Sequence, residues 1–299
     1  MPVRWWQVSA LAAPEEADAV AEAMAPFVYG GVALHPTVDP IEGTEEYLLP
    51  EGAPTEVTGY LVVDATLPER RTALRTALLG RWPGLPITES DLADEDWSEG
   101  WKAHFKLLRL GPLLVRPVWQ PVRPRPGDYE VVLNPGMAFG TGDHPTTRAC
   151  LRRLVELIRP GDRCFDMGAG SAILAIAAAK LGASAVLGVE IDELAVQSAN
   201  ENVALNGVGD RVRIVLGGMD SPAIAAFGPA DLVLANLTSV LHAQLAVGLL
   251  GATRAGGAII ASGVGSAGLR MVTAAYRRAG ASQVMVRRHG EWRSLVVRR

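Results

Sequence analysis

Residues 164–192 have the sequence CFDMGAGSAILAIAAAKLGASAVLGVEID, and no other stretch limits the fold as strongly. Two short apolar runs, 164–167 and 185–189, have the length and composition of buried strands. Between them lie a glycine-containing turn and an Ala- and Ile-rich segment, 171–181, which we predict to be a helix. A strand, turn, helix and strand in about thirty residues form one βαβ unit, so we expect a parallel sheet covered by helices.

The turn and the end of the second strand carry groups that suit an adenosine-like ligand. Gly168 and Gly170 let the backbone approach a ligand closely and offer N–H donors. Glu190, about 20 residues further on, can accept hydrogen bonds from both hydroxyls of a ribose. Ile173 stands where a dinucleotide fingerprint has its third glycine, which disfavours NAD. With Asp166 before the turn, the pattern is similar to that of S-adenosylmethionine-dependent methyltransferases; the alternative is a tight turn without a ligand.

Composition is that of an ordinary globular protein. The chain has 299 residues, of which 49% are hydrophobic and 20% charged, and this length predicts two domains. The two cysteines, Cys150 and Cys164, provide neither a disulfide framework nor a CxxC zinc pattern. We see no targeting segment and no uninterrupted apolar run long enough to span a membrane, and we therefore expect a cytoplasmic protein without a membrane partner.

Charge is distributed unevenly along the chain. The net charge of the whole chain is −4. Residues 251–299 contain nine arginines and one acid, Glu291, and so carry +8, which leaves −12 for residues 1–250. A basic end of this kind suits RNA or a ribonucleoprotein, and the alternative is a solvated surface.

Residues 1–90 predict a small ferredoxin-like α+β domain. Apolar runs and two candidate helices, 14–27 and 68–79, alternate in the order β-α-β-β-α-β. No residue pattern in this part is catalytic, so we weigh a recognition module against a purely structural role. Residues 91–118 are expected to form a linker that begins with an amphipathic helix over 91–105, whose aromatic face consists of Trp97, Trp101 and Phe105.

Residues 119–299 predict a doubly wound, seven-stranded, Rossmann-like α/β domain, because strand-like and helical segments alternate and an antiparallel pair ends the chain. Asn236 follows the strand over 231–235. Ligands bind beyond the carboxyl ends of such strands, near the switch point, which places Asn236 beside Gly168 and Glu190. An amide can donate and accept hydrogen bonds, so Asn236 can position an attacking amine; the alternative is a turn residue at a strand end.

The loop over residues 134–147, NPGMAFGTGDHPTT, is the second informative stretch. Its glycines, prolines and threonines cannot build a core, but they can cover a ligand and offer backbone N–H groups and hydroxyls. His144 has no second His or Cys at ligand spacing, so no metal site is expected.

Several motifs together resemble those of the PrmA family, the methyltransferases of ribosomal protein L11. They are AFGTGDHPTT, DMGAGS, GVEID, LANL and the terminal GEWRSLV. The segment DWSEGWKAHFK is similar to the interdomain helix of that family. The resemblance covers nearly the whole chain and is strongest from Asp96 onward.

The resemblance implies that the first domain recognises L11 and that the second uses S-adenosylmethionine to methylate lysine side-chain and N-terminal amines. The expected cofactor-binding residues are Thr147, Gly168, Gly170, Glu190 and Asn236, and the expected residues at the reacting amine are Asn236, Phe139 and Gly140. Further expectations are a monomer that acts on L11 free or in the ribosome, with ribosomal RNA nearby.

The sequence departs from the family pattern in ways that keep the required groups. Glu190 replaces the usual Asp, Ala172 replaces a frequent third glycine, and Asp143 occupies a variable loop position. We therefore expect an active enzyme.

Two other functions stay open. The first is a methyltransferase that acts on RNA or on another protein. Asn236 is followed by Leu-Thr-Ser rather than by the prolines and aromatic residue that clamp a planar amide or base, which favours an aliphatic amine. The second is a nucleotide-binding oxidoreductase, against which Ile173 argues. A binding protein without catalysis is a more distant third.

Overall fold

The computed structural model describes residues 4–37, 39–40, 47–48, 52–92, 107–134 and 144–299. The chain divides into two compact units, residues 1–104 and 105–299. Within the described part of the chain, no helix combines the length and apolar character needed to cross a membrane.

The described residues of the first unit form an antiparallel sheet with two helices. In chain order its elements are β1 (Trp5–Ala12), α1 (Ala17–Met24), β2 (Tyr29–Pro36), the two-residue strands β3 (Asp39–Pro40) and β4 (Tyr47–Leu48), β5 (Thr55–Val62), α2 (Leu67–Arg81) and β6 (Ile87–Leu92). The sheet has the order β2-β5-β1-β6. Its helices cover one face, where Val8, Met24, Leu61, Leu74 and Leu78 are fully buried.

Strand β6 extends further than the sequence indicates. Asp91, which we expected to begin the linker helix, lies in this strand and forms an ion pair with Arg4 at 2.6 Å. The predicted aromatic face of that helix, Trp97, Trp101 and Phe105, lies outside the described residues.

The second unit is an α/β domain built on a mixed sheet. It begins with β7 (Leu108–Leu110), β8 (Leu113–Pro117), β9 (Tyr129–Leu133) and α3 (Pro145–Leu157). The central elements are β10 (Arg163–Met167), α4 (Ile173–Lys180), β11 (Ala185–Glu190), α5 (Glu193–Leu205), β12 (Val212–Leu216), α6 (Pro222–Phe227) and β13 (Ala230–Asn236). The last are α7 (Ser239–Gly251), β14 (Thr253–Gly265), α8 (Leu269–Arg278), β15 (Gln283–His289) and β16 (Trp292–Arg298).

Seven strands form the main sheet in the order β12-β11-β10-β13-β14-β16-β15. The first five run parallel, and β16 runs antiparallel to both β14 and β15. From β10 the chain moves outward to β11 and β12, and it then returns to place β13 on the other side of β10. The switch point therefore lies between β10 and β13, where ligands bind in sheets of this kind.

Helix α4 is buried along almost its whole length, from Ile173 to Ala179. It lies between the main sheet and the small sheet β7-β8-β9, whose Leu113 and Val131 share its apolar core. This explains why the segment has no polar face. It also means that residues 108–117, which the sequence analysis assigned to the linker, carry core side chains of the second unit.

Two asparagines of the α5 region hold β9 in place. Val132 N donates to Asn206 Oδ1 at 2.8 Å, and Asn206 Nδ2 donates back to Val132 O at 2.6 Å. Asn134 N donates to Asn202 Oδ1 at 2.8 Å. These contacts fix the strand that precedes residues 135–143, which lie outside the described residues.

Candidate functional site

The glycine turn lies at the carboxyl end of β10. Gly168 and Gly170 have φ angles of 72° and 52°, which side chains rarely adopt. A Cβ on Gly168 would lie 2.8 Å from Leu237 Cδ2. Gly168 N and Ala169 N both donate to Val189 O, at 2.9 and 3.1 Å, so the turn is tied to the end of β11.

Ala172 and Ile173 begin helix α4 after this turn. Ala172 has a φ of 63°, and no other non-glycine residue among those described has a positive φ. A glycine would adopt this conformation without strain. Ile173 is 2% exposed and belongs to the core, so its position serves packing.

The Glu190 carboxylate joins the turn to the end of β11. Its Oε2 accepts a hydrogen bond from Gly170 N at 2.9 Å, and its Oε1 accepts from Ile191 N at 2.8 Å and Asp192 N at 3.2 Å. The residue is half-buried. A carboxylate offers about four acceptor positions, so this one keeps capacity for a further donor.

Asp166 lies beneath the turn and is 1% exposed. Its Oδ2 accepts from Ala175 N at 3.1 Å, whereas its buried Oδ1 has no hydrogen-bond partner. Burial, together with the nearby charge of Glu190, raises the pKa of Asp166 to about 8. The unused buried oxygen fits a ligand that brings a cationic donor to this edge of the sheet.

Asn236 ends β13 and contacts the first turn of α3. Its Nδ2 donates to Thr147 Oγ1 at 3.2 Å, and Thr147 is 1% exposed. This hydrogen bond joins residues 89 positions apart in the chain. It engages the Nδ2 end of the amide and leaves Oδ1 for another partner.

His144 serves as the N-cap of α3. Its Nδ1 accepts from Thr146 N at 3.4 Å and lies 2.6 Å from Thr146 Oγ1, while its ring meets the Trp292 ring edge-on at 5.1 Å between centroids. Among the described residues there is no group of three His, Cys, Asp or Glu side chains that could hold a metal ion.

The structure brings the described site residues together at the switch point. Gly170 and Glu190 are in direct contact, Thr147 and Asn236 are in direct contact, and Gly168 lies beside Leu237, which follows Asn236. Phe139 and Gly140, assigned to the reacting amine, lie outside the described residues.

Sequence reasoning missed two apolar side chains near Glu190. Ile191 is 74% exposed and Leu216, at the end of β12, is 54% exposed. Ile191 directly follows β11 and Leu216 ends β12, at the same end of the sheet as the glycine turn. Both side chains can therefore contact a flat apolar ligand group. The signal available in the sequence was an apolar residue directly after the acid that ends a strand.

The geometry defines a class of protein. A glycine turn, a carboxylate at the next strand end and an amide across the switch point of a mainly parallel α/β sheet are the parts of a Rossmann-like, class I methyltransferase that uses S-adenosylmethionine. A sequence profile described as ribosomal protein L11 methyltransferase (PrmA) matches residues 4–299. The chain belongs to this family.

Individual relatives agree with the family match. A ribosomal protein L11 methyltransferase of Chloroflexus aurantiacus is 36% identical over 99% of this chain and 98% of its own length. One from Geobacter sulfurreducens is 46% identical over 72% of this chain and 71% of its own. The crystal structure of a ribosomal protein L11 methylase from Lactobacillus delbrueckii subsp. bulgaricus superposes with a TM-score of 0.58 at 30% identity, and the match covers 64% of this chain and 98% of that one.

Proposed function

We propose that this enzyme methylates amines of ribosomal protein L11, at lysine side chains and at the N-terminus. The observation that carries the proposal is the Asn236–Thr147 hydrogen bond at 3.2 Å beside the glycine turn, in a chain that matches the family from residue 4 to residue 299. The amide oxygen at this strand end suits an aliphatic amine, because no proline or aromatic residue follows it to clamp a planar group.

The residues present fit S-adenosylmethionine. Glu190 would hold the ribose through its remaining acceptor position, and Ile191 and Leu216 would offer apolar surface to the adenine. Gly168 keeps the backbone free of side chains where the ligand would approach, and the unpartnered Asp166 Oδ1 would accept from the ammonium of the methionine part. When bound, S-adenosylmethionine supplies a methyl group attached to a cationic sulfur, and this sulfur becomes a neutral thioether when the methyl group is transferred.

Asn236 orients the acceptor amine. A lysine amine has a pKa of about 10.4 and must lose its proton before its lone pair can form the new nitrogen–carbon bond. Asn236 Oδ1 accepts one N–H of the neutral amine and so aims the lone pair, while Nδ2 stays engaged with Thr147. The amine's proton leaves to solvent, and a second positive charge is disfavoured in a desolvated site that already holds a cation. Catalysis is therefore positioning and desolvation.

We assign recognition of L11 to the ferredoxin-like domain predicted over residues 1–90, which β6 extends to Leu92, and methyl transfer to the domain predicted over 119–299, to which the core strands at 108–117 also belong. Both ends of the linker predicted over 91–118 therefore belong to these two domains. The order of strands and helices in β1–β6 supports this assignment, and the net charge of −12 over residues 1–250 suits a basic ribosomal protein. The proposal places a monomeric enzyme in the cytoplasm, near ribosomes.

A methyltransferase that acts on RNA is the second candidate. Besides burial, the charges of Arg152, Arg153, Arg287 and Arg293 lower the pKa of His289, which ends β15. Glu156 on α3 pairs with the buried Arg153 and lies 3.9 Å from Arg287, so it neutralises part of this positive charge. The remaining positive charge attracts phosphate groups. It also suits an enzyme whose protein substrate works beside ribosomal RNA.

Substitution of Asn236 tests the mechanism. We expect Asn236→Ala to lower kcat about 100-fold, because the amine loses its orientation, while cofactor affinity changes little. Single-turnover rates and calorimetric Kd values for the cofactor measure the two effects. Asn200→Ala is the matched control, because Asn200 is exposed on α5 and bonds only within its helix, to Val196 O. Equal losses of kcat and cofactor affinity in Asn236→Ala would remove the assigned role.

A further inference from the structure

A polar pair lies in the apolar core behind the site. His242 on α7 and Tyr276 on α8 are both 0% exposed, on helices that pack against each other. His242 Nδ1 lies 2.9 Å from Tyr276 Oη, and His242 Nε2 lies 2.8 Å from Ser262 O on β14. Neither His242 nor Tyr276 is among the residues assigned to cofactor or amine binding.

The hydrogen bonds of the pair have one direction. A carbonyl oxygen only accepts, so His242 Nε2 carries the hydrogen and donates to Ser262 O. Burial lowers the pKa of His242 to about 4, so the ring is neutral at physiological pH and Nδ1 accepts from Tyr276. Burial also raises the pKa of Tyr276, which keeps its hydroxyl a donor. The Tyr276 hydroxyl therefore favours the His242 tautomer with its hydrogen on Nε2, which is the tautomer that donates to Ser262 O.

The Ser262 carbonyl also holds the strand end that carries Asn236. Leu237 N donates to Ser262 O at 3.0 Å, and Asn236 pairs with Ser262 in the β13–β14 register. Gly263 has a φ of 82°, and a Cβ there would overlap Leu237 O and lie 3.2 Å from Asn236 Oδ1. The strand end and this part of β14 are therefore in close contact, and the β14–β16 register shifts between Ala261 and Val264.

We infer that His242 and Tyr276 are positioning residues, which hold the Ser262 carbonyl so that Asn236 and Leu237 keep a fixed place at the edge of the site. Two apolar side chains of the same size would fill this space without desolvating polar groups. At position 242, only a side chain with a donor where Nε2 lies can bind the Ser262 carbonyl from the helix side. The consequence for catalysis rests on the proposed role of Asn236.

Hydrogen exchange of the Leu237 amide tests the hold on the strand end in the ligand-free protein. Tyr276→Phe removes one hydroxyl and keeps the ring. We expect the Leu237 amide to exchange about tenfold faster in this variant than in the wild type. For the buried amide of Leu234 in β13, the free energy of exchange is expected to keep the same relation to the free energy of global unfolding in both proteins. Thr253→Val is the matched control, because Thr253 is 0% exposed and its hydroxyl donates to Leu249 O, also between β14 and α7 but at the far end of the strand. This control is expected to leave Leu237 exchange unchanged.

A double-mutant cycle tests the consequence for catalysis. We expect Tyr276→Phe to lower kcat about tenfold with KM and cofactor Kd within about twofold, and to have no further effect in an Asn236→Ala background. His242→Gln is expected to retain more activity than His242→Leu, because a glutamine amide can still donate to Ser262 O.

The two proposals fail separately. Wild-type exchange of Leu237 in Tyr276→Phe, or an equal loss of kcat from Tyr276→Phe with and without Asn236, would overturn the inference about the pair. An unchanged kcat in Asn236→Ala would overturn the proposed role of Asn236, whereas fast Leu237 exchange in Tyr276→Phe would still support the hold on the strand end.

Discussion

Gly168 carries a specific steric requirement of the site. Its φ of 72° strains any side chain, and a Cβ there would lie 2.8 Å from Leu237 Cδ2. Leu237 is the residue after Asn236, so a methyl group at position 168 disturbs both the glycine turn and the strand end that carries the amide.

Gly168→Ala is therefore expected to weaken cofactor binding about tenfold or more, and calorimetry of the purified variant measures this. Gly207→Ala is the control, because Gly207 has a φ of 63° and nothing lies within 4 Å of a Cβ there. Both variants carry the backbone strain, and only Gly168→Ala is expected to lose affinity. Equal cofactor Kd values for the two variants would contradict the assigned role of the turn.

Asp166 gives the ligand-free protein a pH-dependent stability. Its pKa is about 8 in the folded state against 3.8 for the unperturbed group. Between these values the folded state keeps a proton that the unfolded state has released, so the contribution of Asp166 falls as pH rises from about 4 to 8. An asparagine side chain at this position does not ionise between about pH 4 and pH 8 and has nearly the same shape as the carboxyl group.

We therefore expect Asp166→Asn to gain stability relative to the wild type between pH 5 and pH 8, by at least about 1 kcal/mol. Urea unfolding of both proteins without cofactor at the two pH values measures this difference. Parallel stabilities at both pH values would show that the buried carboxyl ionises in the folded protein as it does in water.

At the scale of single residues, local motifs are readable and distant pairs are not. Gly168, Gly170 and Glu190 follow from one βαβ unit, whose short spacing fixes their geometry. The contacts Asn236–Thr147 and His242–Ser262 depend on how separate elements pack, and sequence spacing contains no information about that. His144 has a structural role as a helix cap, which the sequence analysis did not predict.

Among the elements, α5 and β9 are joined by side-chain hydrogen bonds in place of a shared ladder. Asn206 bonds both backbone groups of Val132, at 2.8 and 2.6 Å, and is 7% exposed. Removal of its amide leaves two backbone groups of β9 without these partners, in a partly buried position.

Asn206→Ala is accordingly expected to destabilise the protein by about 2 kcal/mol or more in urea unfolding. Asn200→Ala, on the exposed face of the same helix, is expected to stay within about 0.5 kcal/mol of the wild type. A small effect of Asn206→Ala, comparable to that of the control, would show that water replaces the lost bonds and that β9 does not depend on α5.

Helices and strands were predicted correctly where burial in the core requires a continuous run of apolar residues. The apolar runs 164–167, 185–189 and 231–235 are the strands β10, β11 and β13, as the sequence indicates. Helix α6 was missed, because it has six residues and none of them is buried. The first residues of strand β14 carry no such signal, because they include exposed Arg254 and two glycines, a composition that strands rarely show.

The whole molecule combines an acidic majority with a basic end. Residues 1–250 carry −12 and residues 251–299 carry +8. Proteins that bind RNA carry excess positive charge, so we propose that the acidic part of this enzyme attracts the substrate over long range.

The kcat/KM for L11 is expected to fall as salt rises from about 50 to 300 mM, because screening shortens the range of this attraction. A short peptide of zero net charge with a single acceptor lysine is expected to show little change over the same range. Initial rates at low substrate concentration measure both, and equal salt dependence for the two substrates would exclude electrostatic attraction by the acidic part.

Methylation of L11 is tested by transfer of labelled methyl from S-adenosylmethionine to purified ribosomal components, free and assembled, followed by intact mass. We expect L11 to gain mass in multiples of one methyl group and L11 with chemically blocked amines to gain none. Label on RNA or on another ribosomal protein, with L11 unchanged, would show that the enzyme has a different substrate.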